Sequence, residues 1–236
     1  MEFPKWVVDR VIARQGVLHP YDSLDAQRTA FVVVDLQNYF TRPGFQGYCE
    51  SAAGVIPIAN RLATYLREKG GLVVWIQTSA DGAEQFWSHH HRHMLSPERC
   101  ERRLQQLSST HEGYQLHPEV DAQPDDPRVS KRCYSAFTPG SSNLHEVLQH
   151  HGIDTLLIGG TATNVCCEST ARDAMMMDYR CIMVADALAS FTEEEHVWAL
   201  NQWMLYFGDV LESHEVIERL DQEANTPVPL HATANG

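Results

Sequence analysis

The sequence predicts an α/β fold in three layers (α/β/α), a mainly parallel sheet flanked by helices. Two patterns predict it. Short apolar runs recur without the alternation of a half-exposed strand, so each reads as a strand covered on both faces. Between them lie segments with apolar residues at 3/4 spacing, and strands that alternate with helices build parallel sheets. In such sheets ligands bind outside the carboxyl ends of the strands.

The elements follow in order. Residues 1–29 read as an irregular N-terminal arm and 30–222 as a single domain. Ala30–Val34 is the first strand. Ile56, Ala59, Leu62, Ala63 and Leu66 mark a helix across Val55–Glu68, stopped at Lys69-Gly70-Gly71. Gly71–Ile76 is the second strand. Residues 79–128 are rich in His, Gln, Ser, Pro and charge, and read as an insert that covers the site, with a helical piece at Pro97–Leu107. Val129–Phe137 is a short β-like segment, followed by a helix from Asn143 that stops at Gly152. Thr155–Ile158 and Arg180–Ala185 are two further strands. Gly159-Gly160 ends the first of these, and a helix continues after Cys166 through Met177. Thr192-Glu193-Glu194-Glu195 is a capping-box start for a helix that carries Val197, Leu200, Trp203 and Met204. Residues 223–236 read as a flexible tail.

With 236 residues, 43% of them hydrophobic, the chain is long enough for one sizeable core. Its formal charge of −13 argues against a nucleic-acid partner, which needs a basic face. No apolar run is long enough to span a bilayer, and the N-terminus lacks the apolar stretch of a signal peptide. The expectation is a cytoplasmic protein with a small-molecule substrate and no membrane partner. The cysteines at 49, 100, 133, 166, 167 and 181 form no C-x-x-C pair and have no histidine at zinc-finger spacing. Most therefore read as reduced, inert core thiols.

Cys166 is the exception. It follows a buried strand and a small-residue turn, at the start of a helix whose N–H groups and dipole favour a thiolate. Asp35 directly follows the first strand and reads equally as a cap of the next turn and as a catalytic base. Lys131 taken alone reads as a solvated lysine. Together the three make chemical sense. Asp35 takes the thiol proton and returns it to a leaving amine, while Lys131 holds Asp35 and softens negative charge. Backbone N–H groups at the helix entrance would serve as an oxyanion hole.

The constellation resembles the isochorismatase-like cysteine hydrolases, which include nicotinamidases, N-carbamoylsarcosine amidohydrolases and ureidoacrylate amidohydrolases. Three motifs carry it in order: Val34-Asp35-Leu36-Gln37-Asn38, Lys131 with Tyr134-Ser135-Ala136-Phe137, and Gly160-Thr161-Ala162-Thr163-Asn164-Val165-Cys166 with Glu168–Ala174. The likeness runs from about Phe31 to about Leu211. It implies a Rossmann-like, isochorismatase-like fold and a catalytic triad of Asp35, Lys131 and Cys166. It also implies a cis peptide between Thr161 and Ala162 and an oxyanion hole made by the N–H groups of Ala162 and Cys166. The implied reaction is hydrolysis of a C–N bond in a small amide, ureide or lactam through a thioester, with no metal and no other cofactor, in a homodimer or homotetramer.

The likeness thins around the pocket. Nicotinamidases carry an Asp-x-His metal site after their second strand, where this chain reads Trp75-Ile76-Gln77-Thr78-Ser79-Ala80-Asp81. Ureidoacrylate amidohydrolases are nearer through Trp75, Gln77, Tyr134 and Thr163–Cys166, yet tend to have Arg at the place of Cys133 and Asn at that of Thr78. Gln37, Tyr39, Gln77, Trp87, Tyr134 and Phe137 are substrate-binding candidates by position. His89 and His93 would share a helix face and could hold a metal or a substrate carboxylate, with a solvated face as the plainer reading. Two other functions fit the family. Isochorismatase-type vinyl ether hydrolysis is disfavoured by the cysteine, and a non-catalytic oligomeric binding role is disfavoured by the complete triad.

Overall fold

A computed structural model describes residues 1–222; the tail expected over 223–236 lies outside the described residues. The strands are β1 (Thr29–Val34), β2 (Leu72–Thr78), β3 (Arg128–Lys131), β4 (Thr155–Thr161), β5 (Arg180–Ala189) and β6 (Asp209–Leu211). They form one sheet in the order β3-β2-β1-β4-β5-β6, and every neighbouring pair is parallel. The helices are α1 (Lys5–Gln15), α2 (Asn38–Thr41), α3 (Ile56–Glu68), α4 (Ala83–Phe86), α5 (Ser88–His93), α6 (Pro97–Gln106), α7 (Leu144–His150), α8 (Glu168–Met176), α9 (Glu193–Tyr206) and α10 (Ser213–Asp221).

The continuous apolar runs are explained by helices on both faces. Along β1, Ala30, Val32 and Val34 pack into one core with α1, α7, α8 and α9. Phe31 and Val33 point the other way, into a second core with α3 and α10. On α3 the predicted stripe of Ile56, Ala59, Leu62, Ala63 and Leu66 is wholly buried. The capping box on α9 is formed, with the Thr192 hydroxyl accepting from the Glu195 N–H and the Glu195 carboxylate accepting from the Thr192 N–H.

The N-terminal arm differs from expectation. Lys5–Gln15 is a helix, and its Val7 and Val11 are fully buried in the first core. Only two apolar residues at i,i+4 face the core, among Lys, Arg and Asp, so the periodicity is weak over so short a window. Pro4 starts the helix and Gly16, at φ 85°, ends it in a left-handed turn. β6 and α10 were not foreseen, and β5 runs four residues beyond the expected Ala185.

The topology sets the site. β1 and β4 are neighbours, and the chain crosses from β1 towards β2 on one side and from β4 towards β5 on the other. That reversal opens a crevice at the carboxyl ends of β1 and β4. Gly160 makes the close approach possible: its φ is 109°, and a Cβ there would sit 2.0 Å from the Val34 carbonyl oxygen.

Candidate active site

Four adjacent strands each deliver one polar group to this crevice. Asp35 follows β1, Thr78 ends β2, Lys131 ends β3 and Cys166 follows β4. All are buried, Asp35 and Lys131 completely. Cys166 sits in a wide, π-type turn over Thr163–Cys167 that leads into α8. The Ala162 carbonyl accepts from the N–H groups of Val165 and Cys167 and closes this turn. Asn164 accepts a 2.6 Å hydrogen bond from Ser190, and Thr163 pairs with His196 at 2.9 Å, so both flanks of the turn are tied down. The peptide between Thr161 and Ala162 is cis.

The ammonium of Lys131 organises the group. A lysine has three N–H donors. Here they face the Thr78 hydroxyl, the Cys133 carbonyl at 3.1 Å and the Cys166 Sγ at 3.4 Å. Thr78 in turn donates to Asp35 Oδ1 at 2.9 Å. Asp35 Oδ2 lies 2.8 Å from Lys131 Nζ as an ion pair. Lys131 thus bridges the Asp35 carboxylate and the Cys166 sulfur inside the fold.

The protonation states follow from burial. It would lower the Lys131 pKa, but the Asp35 carboxylate and then Cys166 outweigh it and hold the ammonium above the usual lysine range. Burial pushes the Cys166 thiol up to about 12; Lys131 opposes the rise and Asp35 adds to it. This burial opposes the thiolate that the helix start favours. At the start of α8 the sulfur is dry and beside a carboxylate, and desolvation exceeds what Lys131 returns. Cys167 is fully buried with its pKa well above the ordinary thiol value, again from burial first, and reads as core.

Cys166 and Ala162 border a cavity of about 230 Å³, together with Tyr39, Phe40, Tyr134, Phe191 and His90. The substrate-binding candidates divide here. Tyr39 and Tyr134 line the cavity, whereas Gln37, Gln77, Trp87 and Phe137 are not on its wall. Gln37 is completely buried, and its side chain holds both backbone groups of Thr78, accepting from the N–H at 2.7 Å and donating to the carbonyl at 3.0 Å. It also donates to the Tyr114 carbonyl at 2.8 Å, as does Gln77 at 2.9 Å. Both glutamines are braces between the sheet and the insert. Trp87 stacks on His90 at 3.9 Å and meets Tyr134 edge-on at 4.7 Å, so it backs two wall residues. Phe137 packs against Tyr179 and the first core, away from the cavity.

From the insert, His90, Leu95, Arg99 and Arg103 border this cavity. His89 and His93 lie on the exposed side of α5 with rings 5.7 Å apart. Among the described residues no group of three or more His, Cys, Asp or Glu is placed to hold a metal ion. Thr78 is the site residue that sequence reasoning missed. Its only signal was its place at the end of a buried strand, where it was noted merely as a departure from a related pattern. Among the described residues no helix is long and apolar enough to cross a membrane.

Residues 29–215 match the family model described as the isochorismatase domain. The chain is 28% identical over 200 residues to the isochorismatase family protein YwoC of Bacillus subtilis (strain 168), covering 84% of this chain and 97% of that one. A cysteine hydrolase from Pseudomonas syringae pv. phaseolicola 1448A superposes with a TM-score of 0.71 at 26% identity, over 83% of this chain and 93% of the other. An isochorismatase-like hydrolase from Alkaliphilus metalliredigens superposes with a TM-score of 0.67 at 30% identity, over 81% and 98%.

Proposed function

The chain belongs to the isochorismatase family, and from that premise we propose that it is a cysteine-dependent amidohydrolase of small, non-peptide C–N bonds with Asp35, Lys131 and Cys166 as its triad. The observation that carries this reading is the buried charge network in which Lys131 touches both Asp35 and Cys166.

The reaction runs as two proton-coupled steps. Asp35 takes the Cys166 proton as the sulfur bonds to the substrate carbonyl carbon, and the carbonyl electrons move to oxygen. The N–H groups of Ala162 and Cys166 stabilise that oxyanion. The C–N bond then breaks as Asp35 passes its proton to nitrogen, and ammonia or an amine leaves a thioester on Cys166. Water attacks the thioester while Asp35 accepts its proton. The C–S bond breaks, and the proton returns to sulfur. Lys131 remains an ammonium throughout and offsets the charge gathered on the carboxylate and the sulfur. The substrate is a small amide, ureide or lactam of a size the cavity admits.

The test is ammonia or amine release from a panel of such compounds. Wild type releases it from at least one class, and Cys166→Ala loses roughly 10⁴-fold or more. Release that survives in Cys166→Ala would remove the thiol from the mechanism.

A further inference from the structure

Tyr39 is the most deeply buried tyrosine among the described residues, 2% exposed, and it borders the cavity that holds Cys166. A buried phenol ordinarily finds a hydrogen-bond partner for its hydroxyl. Tyr179, 8% exposed, follows that rule and pairs with His145 at 2.9 Å. The Tyr39 hydroxyl has no partner among the described residues, yet the fold does not seal it off as it seals the orphaned hydroxyl of Thr161. What little of Tyr39 is accessible therefore includes its hydroxyl, and it opens on the cavity.

The ring that carries this hydroxyl is clamped. Phe40 meets it edge-on at 4.8 Å, and Ala80, Ala83 and Leu107 pack with it in a small third core. The backbone of Gly47 comes so near that a Cβ there would lie 2.2 Å from Tyr39 Cε1. A side chain at that position would push the ring out of place. The Tyr134 phenol stands close by: burial raises its pKa, Arg103 opposes the rise, and Cys166 and Tyr39 add to it. Both phenols and the sulfur thus share one small space. A donor fixed in this way loses little freedom when it meets a ligand. Within the fold it does nothing for stability that a phenylalanine would not.

We propose that Tyr39 is a specificity residue whose hydroxyl donates to a second carbonyl oxygen of the substrate, which is then a small amide, ureide or lactam bearing a further carbonyl beside the scissile one. In the proposed reaction the N–H groups of Ala162 and Cys166 serve the scissile oxygen, which leaves the phenol for another acceptor. A carbonyl takes that single donor and brings no charge against the Phe40 and Phe191 rings. The cavity of about 230 Å³ keeps the two carbonyls within one compact molecule. The substrate class rests on the amidohydrolase reading; the donor role of Tyr39 does not.

The test is calorimetric binding to Cys166→Ala, which needs no turnover. Succinimide is compared with pyrrolidinone, and N-acetylurea with N-ethylurea; within each pair a methylene replaces one carbonyl. In at least one pair the dicarbonyl compound should bind about three- to tenfold tighter, and adding Tyr39→Phe should bring the two to equal binding. Urea denaturation supplies the readout that a structural hydroxyl would move: Tyr39→Phe should unfold at no lower urea concentration than wild type. A lower midpoint overturns the proposal, because the hydroxyl then holds the fold. So does a preference that survives Tyr39→Phe, equal binding within both pairs, or no binding of either dicarbonyl compound. The two readings fail separately. A preference that depends on Tyr39, with no C–N bond cleaved by wild type, removes the reaction and keeps the donor. Cleavage without that preference removes the donor and keeps the reaction.

Discussion

The segments that follow β1, β3 and β4 border the same cavity as the insert over residues 79–128, and the sheet ends beneath them are built in the opposite way from the insert. At the sheet ends Asp35, Thr78 and Lys131 are at most 2% exposed, and each group's position follows from a strand register. In the insert α4, α5 and α6 are short, α6 has no buried residue, and the side chains that reach the cavity are the exposed Arg99 and the half-buried Arg103, His90 and Leu95. The first region is held by apolar packing that excludes water and makes its few charges strong. The second is held by aromatic stacking and by backbone carbonyls gripped from the sheet, as Gln37 and Gln77 grip Tyr114. The result is a division between buried, tightly packed sheet ends and a more exposed cover.

Breaking the charge network is the severest test of that division. Lys131→Met leaves the Asp35 carboxylate buried and unpaired, with an expected stability loss of about 3–5 kcal/mol in urea denaturation and complete loss of turnover. The double variant Asp35→Asn with Lys131→Met should recover much of the stability and none of the activity. If Lys131→Met alone were as stable as wild type, the sheet-end region would not be the dry centre described here.

A milder change sharpens the same region. Thr78→Val removes the hydroxyl between Lys131 and Asp35 Oδ1, at an expected cost of about 1–3 kcal/mol and roughly a 10–100-fold fall in kcat. Thr78→Ser keeps the hydroxyl and should restore most of both. Full kcat in Thr78→Val would reduce the residue to packing.

The smallest effect belongs to the cover. Trp87→Ala removes the surface on which His90 stacks, with an expected loss of about 0.5–1.5 kcal/mol beyond the buried area. Steady-state kinetics should give a raised KM with kcat largely kept, because the wall loosens while the triad stays. A fall in kcat with KM unchanged would mean that the insert takes part in the chemistry.

The same contrast explains what was legible in the sequence. β1, β2, β4 and α3 could be read because each buries a continuous run or a regular stripe. Asp35, Lys131 and Cys166 could be read as a set because each follows such an element within a short motif. α1 escaped notice because its core contact rests on Val7 and Val11 alone. Of the substrate-binding candidates chosen by position, Tyr39 and Tyr134 border the cavity beside Cys166, and Gln37, Gln77, Trp87 and Phe137 do not. Whether a buried glutamine faces a ligand or braces a loop depends on where residues forty or seventy positions away fold back, and no local pattern records that. The balance at Cys166 has a related origin: the helix start that favours a thiolate is local and visible, whereas the burial that opposes it comes from the whole fold.

In the proposed mechanism the resting site keeps its proton on sulfur and Asp35 moves it. Ultraviolet thiolate absorbance, measured against pH as the difference between wild type and Cys166→Ala, tests it directly. With burial pushing the Cys166 thiol up to about 12, the difference signal should stay flat through neutral pH and grow only in strongly alkaline solution. A full thiolate signal at pH 7 would contradict the account and make Cys166 a pre-formed nucleophile paired with Lys131.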